Sequence, residues 1–144
     1  MIFGINKYMD QLNPSRRSWN MSRIRSINTS PELIVRKFVW SLGYRYRKNV
    51  NTLPGKPDIV IRSRNIAIFI NGCFWHQHVD CKRKTMPKSN TAYWKEKLAR
   101  NVLKQAENIS ELKKLGWNVL VIWECQTKYL EGLRGYLNKK LSIN

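Results

Sequence analysis

The chain has 144 residues, 42% of them hydrophobic, and its 27 Lys and Arg against 9 Asp and Glu give a formal net charge of +18. That length suits one hydrophobic core and argues against a second domain; the absence of a signal-like opening or of a run of about 18 apolar residues argues against secretion or a membrane span and predicts a soluble cytoplasmic protein. The cationic excess points to phosphate backbones as partners, with a ribosome-associated protein or a merely solvated basic surface as the bland alternatives, and an odd three cysteines disfavour a disulfide framework.

Residues 1–20 are polar and basic and carry Pro14, so they read as a flexible basic arm ahead of a single domain over 21–144. In "NTSPELIVRKFVWSLGYRYRKN", Ser30 is placed to cap a helix and Pro31 suits its first turn; Leu33, Ile34, Phe38 and Leu42 recur at helical spacing before Gly43 stops it. "YRYRKN" alternates aromatic and basic residues as an edge strand does. Two apolar runs, Ile59 to Ile61 and Ile66 to Ile70, with a polar turn between them, predict a hairpin. A long helix over Thr91 to Leu115 follows, with Trp94, Leu98, Val102, Ala106, Ile109 and Leu112 as its apolar stripe. "WNVLVIWEC" then reads as a strand buried on both faces, and strand, helix and strand predict that Ile66 to Ile70 and Val119 to Trp123 are parallel neighbours. The tail from Tyr129 to Leu141 has helical character despite Gly132 and Gly135.

Both histidines and two of the three cysteines fall within "NGCFWHQHVDC", residues 71 to 81. Cys73, His78 and Cys81 have workable metal spacing, and parallel strands bring Cys125 to the same sheet edge, which predicts a structural Cys3His zinc site with no open position. The competing reading makes the cysteines small buried hydrophobes. Phe74 and Trp75 sit between the ligands, either as a wedge between base pairs or as core beneath the metal, and spacing leaves both readings standing. Lys97 and Asn101, four apart, share a helix face suited to base edges or simply to solvent.

Asp58, in "GKPDIVI", heads the first hairpin strand, where a carboxylate suits Mg2+ and phosphate together; turn chemistry is the alternative for a Pro-Asp pair. The second strand, "IAIFING", lacks the acid and lysine of a generic nuclease core. His76 is the histidine left over if His78 binds zinc, and an imidazole can activate a water or protonate a leaving group. Glu32, at a helix N-terminus, joins them if that helix packs over the hairpin end; otherwise it serves as a helix-dipole partner.

Taken together, "RRSWNMSRIRSINTSPE", "LPGKPDIVI", "FINGCFWHQHVDC" and "GWNVLVIWEC" resemble the very short patch repair endonucleases, bacterial enzymes that act at T:G mismatches; the resemblance covers roughly residues 15 to 126 in unbroken order. It implies an α/β fold with a restriction-endonuclease-like core, a mixed central sheet flanked by helices, a structural Zn2+, and a Mg2+-dependent nick in one strand of double-stranded DNA, 5′ to the mispaired thymine. Carried over residue by residue, it makes Asp58 and the main-chain carbonyl of Ile70 the Mg2+ ligands, His76 the acid–base group and Glu32 its support. It makes Cys73, His78, Cys81 and Cys125 the zinc ligands, Met21, Phe74 and Trp75 the intercalating residues, and Lys97 and Asn101 the readers of the wobble pair.

The chain departs from the family pattern in two places. Asn71 stands where the family carries a second active-site histidine; it can hydrogen-bond a phosphate but cannot carry a proton at neutral pH. One extra residue separates His78 from Cys81. Two other readings therefore stand beside mismatch repair: a nuclease of this fold acting on a fixed sequence in matched DNA, and a zinc-stabilised DNA-binding module without catalysis. A monomer is expected, since no strand edge or apolar helix face is obviously spare.

Overall fold

The structure is a computed structural model that describes residues 14–16, 19 and 27–143; the expected arm over residues 1–20 and the candidate wedge residue Met21 fall largely or wholly outside that range. Helix α1, Ser30–Ser41, begins where the Thr29 hydroxyl accepts the Glu32 N–H, with Pro31 in the first turn. The cap is thus Thr29 rather than Ser30. It sets Glu32 at the third helical position, from which the carboxylate reaches back to accept the Asn28 N–H at 3.0 Å and the Thr29 hydroxyl at 3.3 Å.

The buried face of α1 is also rotated from the expected one. Val35 and Val39 are buried together with Glu32 and Arg36, whereas Leu33 is 51% exposed. Positions 32, 35, 36 and 39 form one helical stripe, and two of them are charged. The Glu32–Arg36 ion pair, 2.9 Å, satisfies both charges and lets that face go inside. Gly43, at φ +90°, then ends the helix in the left-handed region.

Strands β1 (Arg47–Lys48), β2 (Ile59–Ile61), β3 (Ile66–Asn71) and β4 (Asn118–Trp123) form one sheet in that order. The first two pairings are antiparallel and β3 with β4 is parallel, in the register Ile66 with Asn118 through Asn71 with Trp123. The predicted hairpin, edge strand and parallel neighbours are all present. Helix α2, Thr91–Lys114, connects β3 to β4, and a 3-10 turn, Glu124–Lys128, leads into helix α3, Leu130–Ser142.

Alternation along the strands divides the core into two layers. Ile59, Ile61, Ile66, Ile68 and Ile122 pack with Val35 and Val39 of α1 and Leu133, Leu137 and Leu141 of α3. Ala67 and Phe69 face the other way, with Val119 and Val121, against Ile109 and Leu112 of α2. The sheet therefore lies between α1 and α3 on one side and α2 on the other, a mixed α/β sandwich as expected.

Two expectations fail here for related reasons. β4 is not buried on both faces: it is the sheet's edge, and Ile122 is its sole buried residue. In α2, Trp94, Leu98 and Leu112 are buried, but Val102 and Ala106 of the predicted stripe are exposed. At 24 residues α2 is about 36 Å long, whereas a six-residue strand spans about 20 Å. Its C-terminal half rests on the sheet and its N-terminal half on a separate cluster of Phe74, Trp75, Trp94 and Leu98. The middle bridges a gap, and polar residues line it.

Candidate active site and metal centre

That gap is a cleft of about 500 Å³ at the sheet edge where β3 and β4 end and β2 begins. Antiparallel pairing sets Asp58, just before β2, beside the end of β3: its N–H bonds the Ile68 carbonyl at 3.0 Å, and its Oδ2 accepts the Ile70 N–H at 2.7 Å. The loop that carries Asp58 closes against α2 at Gly55, where φ is +73° and a Cβ would lie 2.8 Å from Asn108, so glycine alone fits.

Asp58 is a carboxylate short of positive charge. Burial raises its pKa from 3.8 to about 6; the Ile70 N–H opposes the rise, and the nearby Glu32 carboxylate adds to it. Glu32 also lines the cleft, but its charge is engaged by Arg36, whose Nη1 is in turn anchored on Asn28 at 2.7 Å. A half-buried carboxylate whose desolvation outweighs the nearby charges of Arg36 and Lys56, beside main-chain groups and open to a cleft, is a donor set that fits a hard divalent cation.

His76 lines the same cleft, its N–H bonded to the Gly72 carbonyl at 3.2 Å. Burial lowers its pKa, so the neutral ring is favoured, and its Nδ1 is buried with no hydrogen-bond partner among the described residues. Asn71, which stands where a second histidine was expected, is buried and joined to Gln105 of α2 by two reciprocal amide bonds: Asn71 Nδ2 donates to Gln105 Oε1 at 2.5 Å and Gln105 Nε2 donates to Asn71 Oδ1 at 2.7 Å. The position is thus locked in place but carries no exchangeable charge.

Trp75 closes the cleft on one side. Asn101 Nδ2 donates to its carbonyl at 3.3 Å, and the Lys97 ammonium lies 6.0 Å from its ring centroid and 3.3 Å from the Tyr93 hydroxyl. Phe74 is buried against Trp75 and Trp94 in edge-to-face contacts, 5.2 and 5.8 Å between centroids. The two aromatics thus differ: Phe74 is part of a small core, and the half-buried Trp75 faces both that core and the cleft.

Behind this loop, Cys73, His78, Cys81 and Cys125 bring their ligand atoms within 4.8 Å of one another. His78 Nδ1 lies 3.7 Å from Cys73 Sγ and 3.5 Å from Cys125 Sγ. Tetrahedral zinc with N and S bonds near 2.1–2.3 Å has ligand edges of about 3.6 Å, so the spacing fits the ion. Burial, and the crowding of Cys125 and Cys81, push the Cys73 thiol up to about 12. The His78 ring stacks on Trp123, 4.0 Å between centroids and 7° from parallel, which fixes its orientation. The extra residue between His78 and Cys81 is accommodated by a turn with Asp80 at φ +58°.

The structure brings Asp58, Ile70, Asn71, His76, Glu32, Trp75 and Asn101 to one cleft and sets the zinc ligands behind it. Among the lining residues that sequence reasoning missed are Gln105, Asn108 and Glu124, with Lys56 and Lys104 beside them. The signal for the first two was present, since Lys97, Asn101, Gln105 and Asn108 follow one another at helical spacing as a polar row. Glu124, an acid lodged between Trp123 and Cys125, had no periodicity to reveal it.

The chain is similar to known DNA endonucleases. A family model described as DNA mismatch endonuclease Vsr matches residues 9–83. The type II nicking enzyme V.NmeAIP of Neisseria meningitidis serogroup A is 44% identical over 130 residues, covering 90% of this chain and 92% of its own. V.XorIIP, a type II nicking enzyme of Xanthomonas oryzae pv. oryzae, is 41% identical over 132 residues, 92% of this chain and 96% of its own. The DNA mismatch endonuclease Vsr of Escherichia coli K12 is 38% identical over 117 residues, 81% and 74% of the two chains.

Proposed function

The chain belongs to the DNA mismatch endonuclease Vsr family, and on that premise we propose that it nicks one strand of double-stranded DNA 5′ to the thymine of a T:G mispair, in a Mg2+-dependent hydrolysis. The observation that carries this reading is the cleft itself. It joins an under-compensated carboxylate, Asp58, and a neutral imidazole, His76, to Trp75, which Lys97 and Asn101 flank.

Asp58 and the Ile70 carbonyl would hold Mg2+, which when bound stabilises charge on the phosphate undergoing attack. The remaining work falls to the chain's own groups. His76, held neutral by burial, accepts a proton from the attacking water at its unprotonated nitrogen or, once protonated, gives one to the leaving oxygen. Glu32, fixed by the Asn28 N–H and Arg36, supports the cleft wall and adds to the negative field at Asp58. Asn71 offers the one N–H that its pair with Gln105 leaves over to a phosphate oxygen but cannot relay a proton.

Selectivity would rest on deformation as well as on base contacts. Inserting an aromatic ring between base steps costs a few kcal/mol, least where pairing is already weak, so Trp75, with Met21 and backed by the buried Phe74, opens a mismatch more cheaply than a matched step. Lys97 and Asn101 then face the exposed base edges. The net charge of +18 supplies the sequence-independent attraction to duplex DNA.

A second reading, a nick at a fixed sequence in matched DNA, draws support from the names of the Neisseria and Xanthomonas relatives, which specify nicking and no mismatch. One assay separates the two: nicking with Mg2+ on labelled duplexes carrying T:G in varied contexts, beside matched controls and the Asp58→Ala protein. Nicking confined to T:G duplexes and lost with Asp58 is the expected result. Cleavage of matched duplexes selects the second reading, and tight binding without cleavage overturns the assignment as a nuclease.

A further inference from the structure

Two buried side-chain atoms in the cleft have no hydrogen-bond partner among the described residues: Nδ1 of His76 and Oε2 of Glu124. Glu124 is only 6% exposed, and its other oxygen, Oε1, accepts from Arg83 Nη1 at 3.0 Å. Leaving a carboxylate oxygen buried and unpaired costs on the order of 1–3 kcal/mol or more, and an unpaired imidazole nitrogen adds to that. Native folds rarely hold two such atoms in one cleft without a use for them.

The sheet register brings the two residues together. Asn71 is opposite Trp123 at the end of the parallel ladder, so Gly72 and Glu124 are the next positions on the neighbouring strands. His76 sits one turn above, with its N–H on the Gly72 carbonyl. A carboxyl oxygen and a ring nitrogen able to carry a hydrogen therefore line the same cleft.

We propose that Glu124 is the positioning residue for His76: the two atoms are not bonded to each other in this structure, and a rotation of the two side chains that brings Oε2 onto the Nδ1 hydrogen fixes the tautomer and leaves Nε2 as the unprotonated nitrogen presented to substrate. Arg83 holds the carboxylate from behind by Oε1. The inference rests on the reading of His76 as the acid–base group and adds to it the residue that orients it.

The test uses the tautomer as well as activity. The chain has two histidines, so nitrogen-15 spectra of the zinc-loaded full-length protein at alkaline pH contain two rings, and His76→Ala identifies which is which. The expected wild-type state of His76 is the Nδ1–H tautomer. In Glu124→Gln, Arg83 donates and so claims the amide oxygen; the amide NH2 then faces His76 and converts Nδ1 to an acceptor. That variant should show the Nε2–H tautomer and nick at least tenfold more slowly, while Arg83→Met keeps the Nδ1–H state.

A wild-type Nε2–H tautomer, or a Glu124→Gln protein whose His76 spectrum is unchanged, overturns the proposal. If Glu124→Gln does not fold, the wild-type tautomer decides: Nδ1–H supports the proposal and Nε2–H overturns it. Full nicking by His76→Ala would instead refute the acid–base reading, a result distinguishable from failure of the tautomer test.

Discussion

Asp58 should destabilise the very protein it serves. Its carboxyl has a pKa of about 6 in the folded state against an ordinary 3.8, chiefly because burial disfavours the charged form. Between those values the folded protein binds more protons than the unfolded chain, so this group lowers stability as pH rises from about 4 to about 6. A shift of roughly 2 units, at 1.36 kcal/mol each, sets the full cost of ionised Asp58 at about 3 kcal/mol above that window. Asp58→Asn keeps an acceptor for the Ile70 N–H, removes the charge and its repulsion with Glu32, and should recover much of that cost.

The assay is thermal melting of zinc-loaded wild type and Asp58→Asn, first without Mg2+. At pH 8 the variant should melt higher by roughly 5–10 °C for a chain of this size, and at about pH 4 the two curves should converge. Mg2+ should then raise the wild-type midpoint and leave the variant unmoved, and the variant should not nick. A variant that melts at or below wild type at pH 8, or whose advantage persists unchanged at pH 4, would refute the charge argument and with it the reading of Asp58 as an uncompensated cation ligand.

Three further outcomes are expected. Cys125→Ser should reduce bound zinc below one per chain and lower stability by several kcal/mol; elemental analysis with melting checks it, and full metal content at an unchanged midpoint counts against the cluster. Gln105→Ala leaves the buried Asn71 amide unpaired and should cost about 1–3 kcal/mol in urea unfolding together with a loss of nicking, whereas an unchanged midpoint denies the pair any role in holding the cleft. Trp75→Ala should weaken binding to a T:G duplex by about 1–3 kcal/mol, the worth of an aromatic–base stack, while barely changing binding to matched DNA; an equal loss on both removes the wedge.

The period of the strands, the hairpin, the crossover and the zinc ligands were legible because each depends on local pattern or ligand chemistry. What escaped depended on pairing between charges and on length. The buried stripe of α1 includes Glu32 and Arg36, so an apolar count alone turned the helix toward Leu33. The middle of α2 looked like a continuation of an apolar stripe through Val102 and Ala106, yet a helix longer than its sheet leaves its middle without an apolar partner, and there the row Asn101, Gln105, Asn108 lines the cleft. Glu124 was illegible for a third reason, since its importance comes from the neighbour that register brings to it rather than from its own surroundings in sequence.

The loop from Gly72 to Cys81 shows why recognition and chemistry belong in one short segment. It contains no strand or α-helix, so its shape rests on turns and on the cluster that holds Cys73, His78 and Cys81. Phe74, Trp75 and His76 lie between two of those ligands, with Phe74 anchored on Trp94 and Leu98 beneath. Trp75 and His76 are joined by a single peptide bond, so a displacement of Trp75 into a base stack is felt at His76, while the ligands on both sides limit how far the loop can follow. Contacts from two other elements oppose that displacement: Asn101 holds the Trp75 carbonyl from α2, and the Gly72 carbonyl holds the His76 N–H at the sheet edge. A base step that opens easily lets Trp75 insert without disturbing His76, whereas one that resists drives the strain back into the histidine. On the proposed reading of Trp75 and His76, discrimination between DNA substrates is exercised at the group that moves the proton, and binding strength alone need not provide it.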